Sequence, residues 1–179
     1  MSIWKRLYCV LGRIHKDSRE LKGSSFVFEK SFENLLRKDG ILPLQLNGYE
    51  RHPNGANHYP DFEIYDKRSF LSVELKTSKS IKIGLGQTWI QSDGLYIIRY
   101  QPKTFQENPI MISFGNDLKT DKDDELFYRY KYDLLQLRDK YKNVSKDFKL
   151  YPYSALEYKI DETKVKHNYE IVMEYLKNK

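Results

Sequence analysis

Apolar residues recur at helical spacing in four segments of the chain. A repeat at every third or fourth position is typical of an amphipathic helix, which buries one stripe of its surface. The pattern predicts four helices, the second ending at Asp39-Gly40 and the third running from Asp123 to about Lys142. The apolar positions, helix by helix, are Ile3, Leu7, Val10 and Ile14; Phe28, Phe32, Leu35 and Leu36; Leu126, Tyr130, Leu134, Leu137 and Tyr141; and Val165, Tyr169, Val172 and Leu176.

Three shorter apolar runs between these helices predict strands. The first contains Phe62 and Ile64, the second spans Phe70 to Lys76, and the third spans Leu95 to Tyr100. Residues 66–69 are typical of a hairpin turn, so the first two strands are expected to pair with each other.

Glycine and proline punctuate residues 42–57, which we expect to be rich in loops. Helices surrounding a group of strands predict an α/β (α+β) fold, in which a mixed central sheet is flanked by helices. At 179 residues the chain is long enough for one domain with a sizeable core, so we predict a single domain spanning 1–179.

The amino-acid composition is typical of a globular protein and not of a disordered or membrane-spanning one. Hydrophobic residues make up 40% of the chain and charged residues 31%, which is typical of a folded globular protein. No apolar run is long enough to cross a bilayer, and the first twenty residues do not resemble a signal peptide. The single cysteine, Cys9, excludes an intramolecular disulfide. These features predict a cytoplasmic protein.

The positive charge is concentrated in one part of the chain. The net charge is +6, and residues 67–103 hold seven cations and two anions, a net charge of +5. A basic segment is expected of a protein that binds a polyanion, but an ordinary solvated surface would look the same. Charge alone does not decide between these interpretations.

Asp61, Glu74 and Lys76 form the most informative pattern. Residues two apart on a strand point to the same face, so Glu74 and Lys76 project together while Leu75 points into the core. A hairpin through residues 66–69 would bring the start of one strand beside the end of the other. The spacing therefore predicts that Asp61 lies next to Glu74 and Lys76.

Two carboxylates and an ammonium are the groups that metal-assisted phosphodiester hydrolysis requires. Carboxylate oxygens bind Mg²⁺, which lowers the pKa of a bound water and neutralises charge on the phosphate. Lys76 would orient the water, and the main-chain carbonyl of Leu75 would offer a further oxygen. Each fragment also has a structural interpretation, since Pro-Asp is common in turns and Glu-x-Lys on solvated strands. Their combination favours a nuclease.

Pro60-Asp61 followed by Glu74-Leu75-Lys76 matches the signature of the PD-(D/E)xK nuclease superfamily. The chain resembles its EcoRV-type type II restriction endonucleases, although that family has aspartate as the second acid. The resemblance extends over most of the chain from Phe28 onward. It rests on 57–62 (NHYPDF), 74–77 (ELKT), Ile81-Lys82, Leu85-Gly86 and, for that family's C-terminal helix, 123–127, 137–141 and Asn143.

The resemblance implies a restriction-endonuclease-like core and cleavage of duplex DNA with Mg²⁺, for which Mn²⁺ can substitute. Asp61 and Glu74 would bind the metal, and Glu29 would be an additional acid because it follows a phenylalanine, with Glu33 as the alternative. Cutting both strands requires two active sites, so a homodimer is expected. The apolar stripe of the N-terminal helix, within residues 1–20, is the candidate interface.

DNA contacts are expected on both sides of the acidic residues. The loop 54–58 resembles the family's minor-groove loop, so Asn54, Asn57 and His58 are candidates, with a plain turn as the alternative. Thr77, Lys79 and Lys82 are placed to contact phosphates, with solvated side chains as the alternative.

The chain is considerably shorter than its EcoRV-type counterparts. Only residues 101–120 occupy the interval in which that family carries its main recognition loop. A structure-specific or repair nuclease, such as a junction resolvase, is therefore a second interpretation. A non-catalytic DNA-binding module and a protein-interaction domain are further alternatives.

Overall fold

A computed structural model of the protein shows a mixed α+β fold with a central sheet flanked by helices. The structure describes residues 1–21, 25–43, 47–55, 58–86, 89–102, 109–141 and 156–179. The helices are α1 (Ile3–Lys16), α2 (Ser25–Lys38), α3 (Asp121–Tyr141) and α4 (Val165–Lys177). The strands are β1 (Leu42–Pro43), β2 (Gly48–Arg51), β3 (Phe62–Asp66), β4 (Ser69–Thr77), β5 (Lys82–Gly86), β6 (Leu95–Arg99), β7 (Ile110–Phe114) and β8 (Leu156–Lys159).

Six of the strands form the main sheet, in the order β1-β2-β3-β4-β6-β7. Strand β4 pairs in parallel with β6, whereas its pairing with β3 is antiparallel. The β3–β4 connection is the predicted hairpin, with Asp66 opposite Ser69. Strands β2–β3 and β6–β7 are also antiparallel, and β5 pairs with β8 in a separate small sheet.

Helices α1, α2 and α4 cover one face of the main sheet. The alternating residues of β6 show how the two faces differ, because Leu95 and Ile97 pack in the helical layer while Tyr96 and Ile98 face the opposite side. On that opposite side they pack with residues of β5, which gives the sheet a second apolar layer. Both faces of the central strands are therefore buried.

The predicted helices are confirmed for α1, α2 and α4. The four predicted core positions of α2 are each at most 5% exposed. This helix ends at Lys38, and Gly40, two residues later, has a φ of 74°, a left-handed conformation that glycine adopts without strain.

The apolar stripe of α1 is used inside the protomer. Ile3, Leu7, Val10 and Ile14 are at most 4% exposed, and α1 contacts α4 and β7. Since the stripe is buried against its own chain, it is not the dimer interface that the sequence suggested.

Helix α3 is present, but its predicted stripe is not buried. Leu126, Tyr130 and Leu137 are 56%, 44% and 51% exposed, and Phe127 is the one buried side chain of this helix. None of the described helices is both long enough and apolar enough to cross a membrane.

The described part of the segment 42–57 contains two strands that were not predicted, β1 and β2. Strand β7 was also missed. Its sequence, IMISF, is a short run that is apolar except for Ser113, and such a run lacks the alternation that marks a half-buried strand. Four of its five residues are buried because both sides of the sheet are covered.

Candidate active site

Pairing of β3 with β4 brings Asp61, Glu74 and Lys76 together, as the spacing predicts. Phe62 lies opposite Val73, so the residue before Phe62 is beside the residue after Val73. The Leu75 N–H donates a hydrogen bond of 2.7 Å to Asp61 Oδ2. Lys76 Nζ lies 2.5 Å from Glu74 Oε1. The Leu75 side chain is buried in the helical layer on the opposite face.

Glu74 is a carboxylate in an apolar environment, with only 5% of the residue exposed. Burial raises its pKa to about 7; the Lys76 ammonium opposes this shift, and the Asp61 carboxylate adds to it. Burial likewise raises the pKa of Asp61. Among the described residues, Glu74 Oε2 has no hydrogen-bond partner. A buried carboxylate oxygen without a donor is a position that a cation would satisfy.

A second group of metal-type ligands shares Asp61. Ligand atoms of Glu29, His52 and Asp61 all lie within 4.8 Å of one another. They come from three elements, since Glu29 is on α2, His52 follows β2 and Asp61 precedes β3. The His52 N–H donates to the Asp61 main-chain carbonyl at 2.8 Å, which extends the β2–β3 pairing by one residue. Asp61 is therefore the residue common to both groups of ligands.

The sequence assigned no role to His52 or to its neighbour Arg51. The Arg51 guanidinium donates to Glu29 Oε2 at 2.8 Å, and His52 Nε2 is 3.1 Å from the same oxygen. Recognising β2 as a strand would have identified Arg51 and His52. Because β2 pairs with β3, the residues at the end of β2 lie beside Asp61. Predicting residues 42–57 as mainly loop hid this relation.

The structure separates Glu29 from the alternative acid, Glu33. Glu33 Oε1 accepts hydrogen bonds from the Tyr49 hydroxyl at 2.5 Å and from Arg37 at 2.8 Å, and Arg51 lies 3.3 Å from Oε2. Burial would raise the pKa of Glu33, but these hydrogen bonds outweigh it and the pKa is lowered. Both Glu33 oxygens take part in these contacts. Glu29, which contacts Arg51 and His52 through Oε2, is the acid that lies with Asp61 in the ligand group.

The group of Glu29, His52 and Asp61 could hold a metal ion. Its two carboxylates offer hard oxygen ligands, which divalent cations accept. The imidazole of His52 is a ligand that Mn²⁺ and other transition metals accept more readily than Mg²⁺ does.

The predicted DNA contacts are distributed over three places. Asn54 and His58 line a cleft of about 480 Å³ next to Tyr59, while Asn57 lies outside the described residues. Thr77 and Lys79 line a different cleft of about 620 Å³ at the ends of β4 and β6. The Lys82 side chain forms an exposed ion pair with Glu157, with Nζ 3.0 Å from Oε1. The structure therefore does not gather the five described residues into one surface.

Comparison with known proteins found no family model, no curated protein and no solved structure that matches the chain. The resemblance to PD-(D/E)xK nucleases therefore rests on the sequence motif and stays a prediction.

Proposed function

We propose that the protein is a divalent-metal-dependent DNA endonuclease that hydrolyses phosphodiester bonds. The observation that carries this proposal is the buried Glu74, which lies beside Asp61 and Lys76 and whose second carboxylate oxygen has no donor among the residues that the structure describes. Lys76 supplies one ammonium for the two carboxylates of Asp61 and Glu74, so a bound cation would offset the remaining buried negative charge.

Each residue has a role in this proposal. Asp61 and Glu74 would hold Mg²⁺, or Mn²⁺ in its place, with the Leu75 carbonyl as a further ligand. Bound there, the metal would polarise the phosphate and acidify a water. The ammonium of Lys76 orients the attacking water and stabilises negative charge that develops on the phosphate. Glu29 supports the site through its proximity to Asp61.

The proposed substrate is duplex DNA, and the proposed enzyme is a type II site-specific endonuclease working as a homodimer. A structure-specific nuclease is the second candidate. The length of the interval 101–120 favours this candidate, because it leaves little chain for a recognition loop. The described part of the interval contains β7 and the short helical turn 115–117.

Cleavage assays test the proposal. Plasmid, genomic and branched DNA are incubated with the wild type and with Lys76→Ala, in Mg²⁺, in Mn²⁺ or in EDTA. We expect metal-dependent cleavage that falls by roughly 100-fold or more in Lys76→Ala, the size of effect seen when a transition-state donor is removed. Lys67→Ala is the matched control, because Lys67 lies in the β3–β4 turn.

The products separate the two candidates. Discrete fragments from plain duplex support the site-specific enzyme, and preferential cutting of branched DNA supports the structure-specific one. If no DNA is cut under any condition, or if Lys76→Ala cuts like the wild type, the proposed mechanism is wrong.

A further inference from the structure

A cleft beside the candidate active site has the composition of a nucleobase-binding site. It lies between the segment before β3 and the first turns of α3, and its volume is about 480 Å³. This is within the range of small-ligand pockets. Its lining combines aromatic rings with amide and ammonium groups, contributed by Asn54, Tyr59, Trp89, Gln91, Tyr128 and Lys131.

One wall of the cleft is a rigid aromatic stack. The rings of Trp89 and Phe127 are parallel, with centroids 4.5 Å apart and an interplanar angle of 4°. The Trp89 indole N–H donates to Asp124, which also accepts a hydrogen bond of 2.6 Å from Lys119. Lys119 Nζ lies 6.0 Å from the Trp89 ring centroid. These contacts hold Trp89 in one orientation, so a ligand would meet a wall that is already in place.

The cleft is next to the acidic residues. Tyr59 lines it and precedes Asp61 by two positions. The Tyr59 ring packs on Tyr96, with centroids 6.4 Å apart and an interplanar angle of 25°. Tyr96 lies opposite Glu74 in the β4–β6 ladder. A strand whose phosphate is at Glu74 and Asp61 would therefore present a neighbouring nucleotide to this cleft.

We propose that the cleft binds an unpaired nucleobase of the DNA strand that is cleaved. This inference rests on the second candidate of the proposed function, the structure-specific nuclease, and names its substrate class, which is DNA with a base outside the duplex stack. A paired base exposes only its edges, whereas an unpaired base offers its face to an aromatic ring.

Polar side chains in the cleft match the remaining parts of a nucleotide. The amide nitrogens of Asn54 and Gln91 donate to the main-chain carbonyls of Tyr59 and Trp89 at 3.0 and 3.1 Å. Their amide oxygens remain as acceptors for the amino group of a base. Lys131 Nζ lies 6.0 Å from the Phe127 ring centroid, at the edge of the cleft. Its charge is suited to a phosphate.

Tyr128 is the side chain available for stacking at the cleft. The residue is 62% exposed, and its ring is in edge contact with Phe127, with centroids 5.4 Å apart. Tyr132 lies one turn further along α3, is 61% exposed and is not among the described residues that line the cleft. The two tyrosines therefore form a matched pair for mutagenesis.

Fluorescence anisotropy with labelled oligonucleotides tests the inference. Two duplexes are compared, one fully paired and one with a single unpaired nucleotide, with Ca²⁺ in place of Mg²⁺ and with intact DNA verified on a gel. We expect the wild type to prefer the duplex with the unpaired nucleotide. Tyr128→Ala should reduce affinity for it by roughly 5- to 150-fold, the range for loss of one base–aromatic stack. Tyr128→Phe and Tyr132→Ala should bind it like the wild type.

Equal affinity for both duplexes, or equal losses in Tyr128→Ala and Tyr132→Ala, would overturn the base-binding site. These experiments can refute the base-binding site and the proposed nuclease activity independently of each other. Lys76-dependent cleavage without preference for the unpaired base overturns this inference alone. Tyr128-dependent preference in a protein that never cleaves DNA overturns the proposed catalysis alone.

Discussion

Replacing Glu74 with glutamine should make the protein more stable at neutral and alkaline pH while removing its activity. The Glu74 carboxyl is buried, and its pKa is raised from 4.5 to about 7. Glutamine has nearly the same shape and keeps an oxygen for Lys76, but it carries no charge. The variant therefore removes the cost of ionising a carboxyl in an apolar site.

The sign and size of the change in the free energy of unfolding follow from the difference between the Glu74 pKa in the folded and unfolded states. Because the folded state holds the Glu74 proton more tightly than the unfolded state does, the wild type loses stability as pH rises from about 4.5 to about 7. Each pKa unit corresponds to about 1.4 kcal/mol, so the loss is about 3 kcal/mol once pH exceeds 7. The variant avoids this loss but deprives Lys76 of its ionic partner. We expect a net gain of about 1–3 kcal/mol at pH 8 and little gain near pH 4.5.

Urea denaturation followed by circular dichroism at several pH values measures this difference. Subtracting the wild-type profile from that of Glu74→Gln removes the contributions of titrating groups that do not interact with Glu74. The Asp61 carboxylate does interact with Glu74, so its change in pKa is part of the measured difference. Glu157→Gln is the control, because Glu157 is exposed on β8. Adding Mg²⁺ at pH 8 should stabilise the wild type and not Glu74→Gln. A free-energy difference that does not change between pH 4.5 and 8 would refute the reasoning.

Two further substitutions test the surroundings of the site. Glu29→Gln should reduce the increase in melting temperature that Mn²⁺ produces. Glu33→Gln should leave that increase intact and lower the free energy of unfolding by roughly 1–3 kcal/mol, because it weakens hydrogen bonds to charged groups; equal responses of the two variants to Mn²⁺ would contradict this. Gly94→Ala should destabilise the protein by about 1–3 kcal/mol, since its Cβ would lie 2.1 Å from the Tyr59 hydroxyl oxygen. Gly84→Ala is its control in thermal unfolding, because a Cβ there meets no atom within 4 Å; equal melting temperatures would contradict the prediction.

Local patterns in the sequence were enough to predict much of the geometry of the candidate active site. The hairpin and the alternation of β4 place Glu74, Lys76 and Asp61 together, because both relations depend on residues close in the chain. Helical periodicity likewise predicts α1, α2 and α4, since each buries one continuous stripe.

Relations between distant segments were not predictable in this way. His52 reaches Asp61 because β2 pairs with β3, and the aromatic cleft forms because Trp89 meets Phe127 of α3. No local period encodes these contacts. The raised pKa of Glu74 has the same origin, because burial of the carboxyl depends on the apolar layer that covers its side of the sheet.

Helices α1 and α3 show what the sequence of a helix predicts and what only the tertiary structure decides. Both carry apolar positions at helical spacing, yet the stripe of α1 is buried within the protomer and that of α3 is largely exposed. The apolar face of an amphipathic helix follows from the residues of that helix alone. Whether that face is covered depends on the packing of α4 and β7 against α1, and the sequence pattern of one helix holds no information about its neighbours.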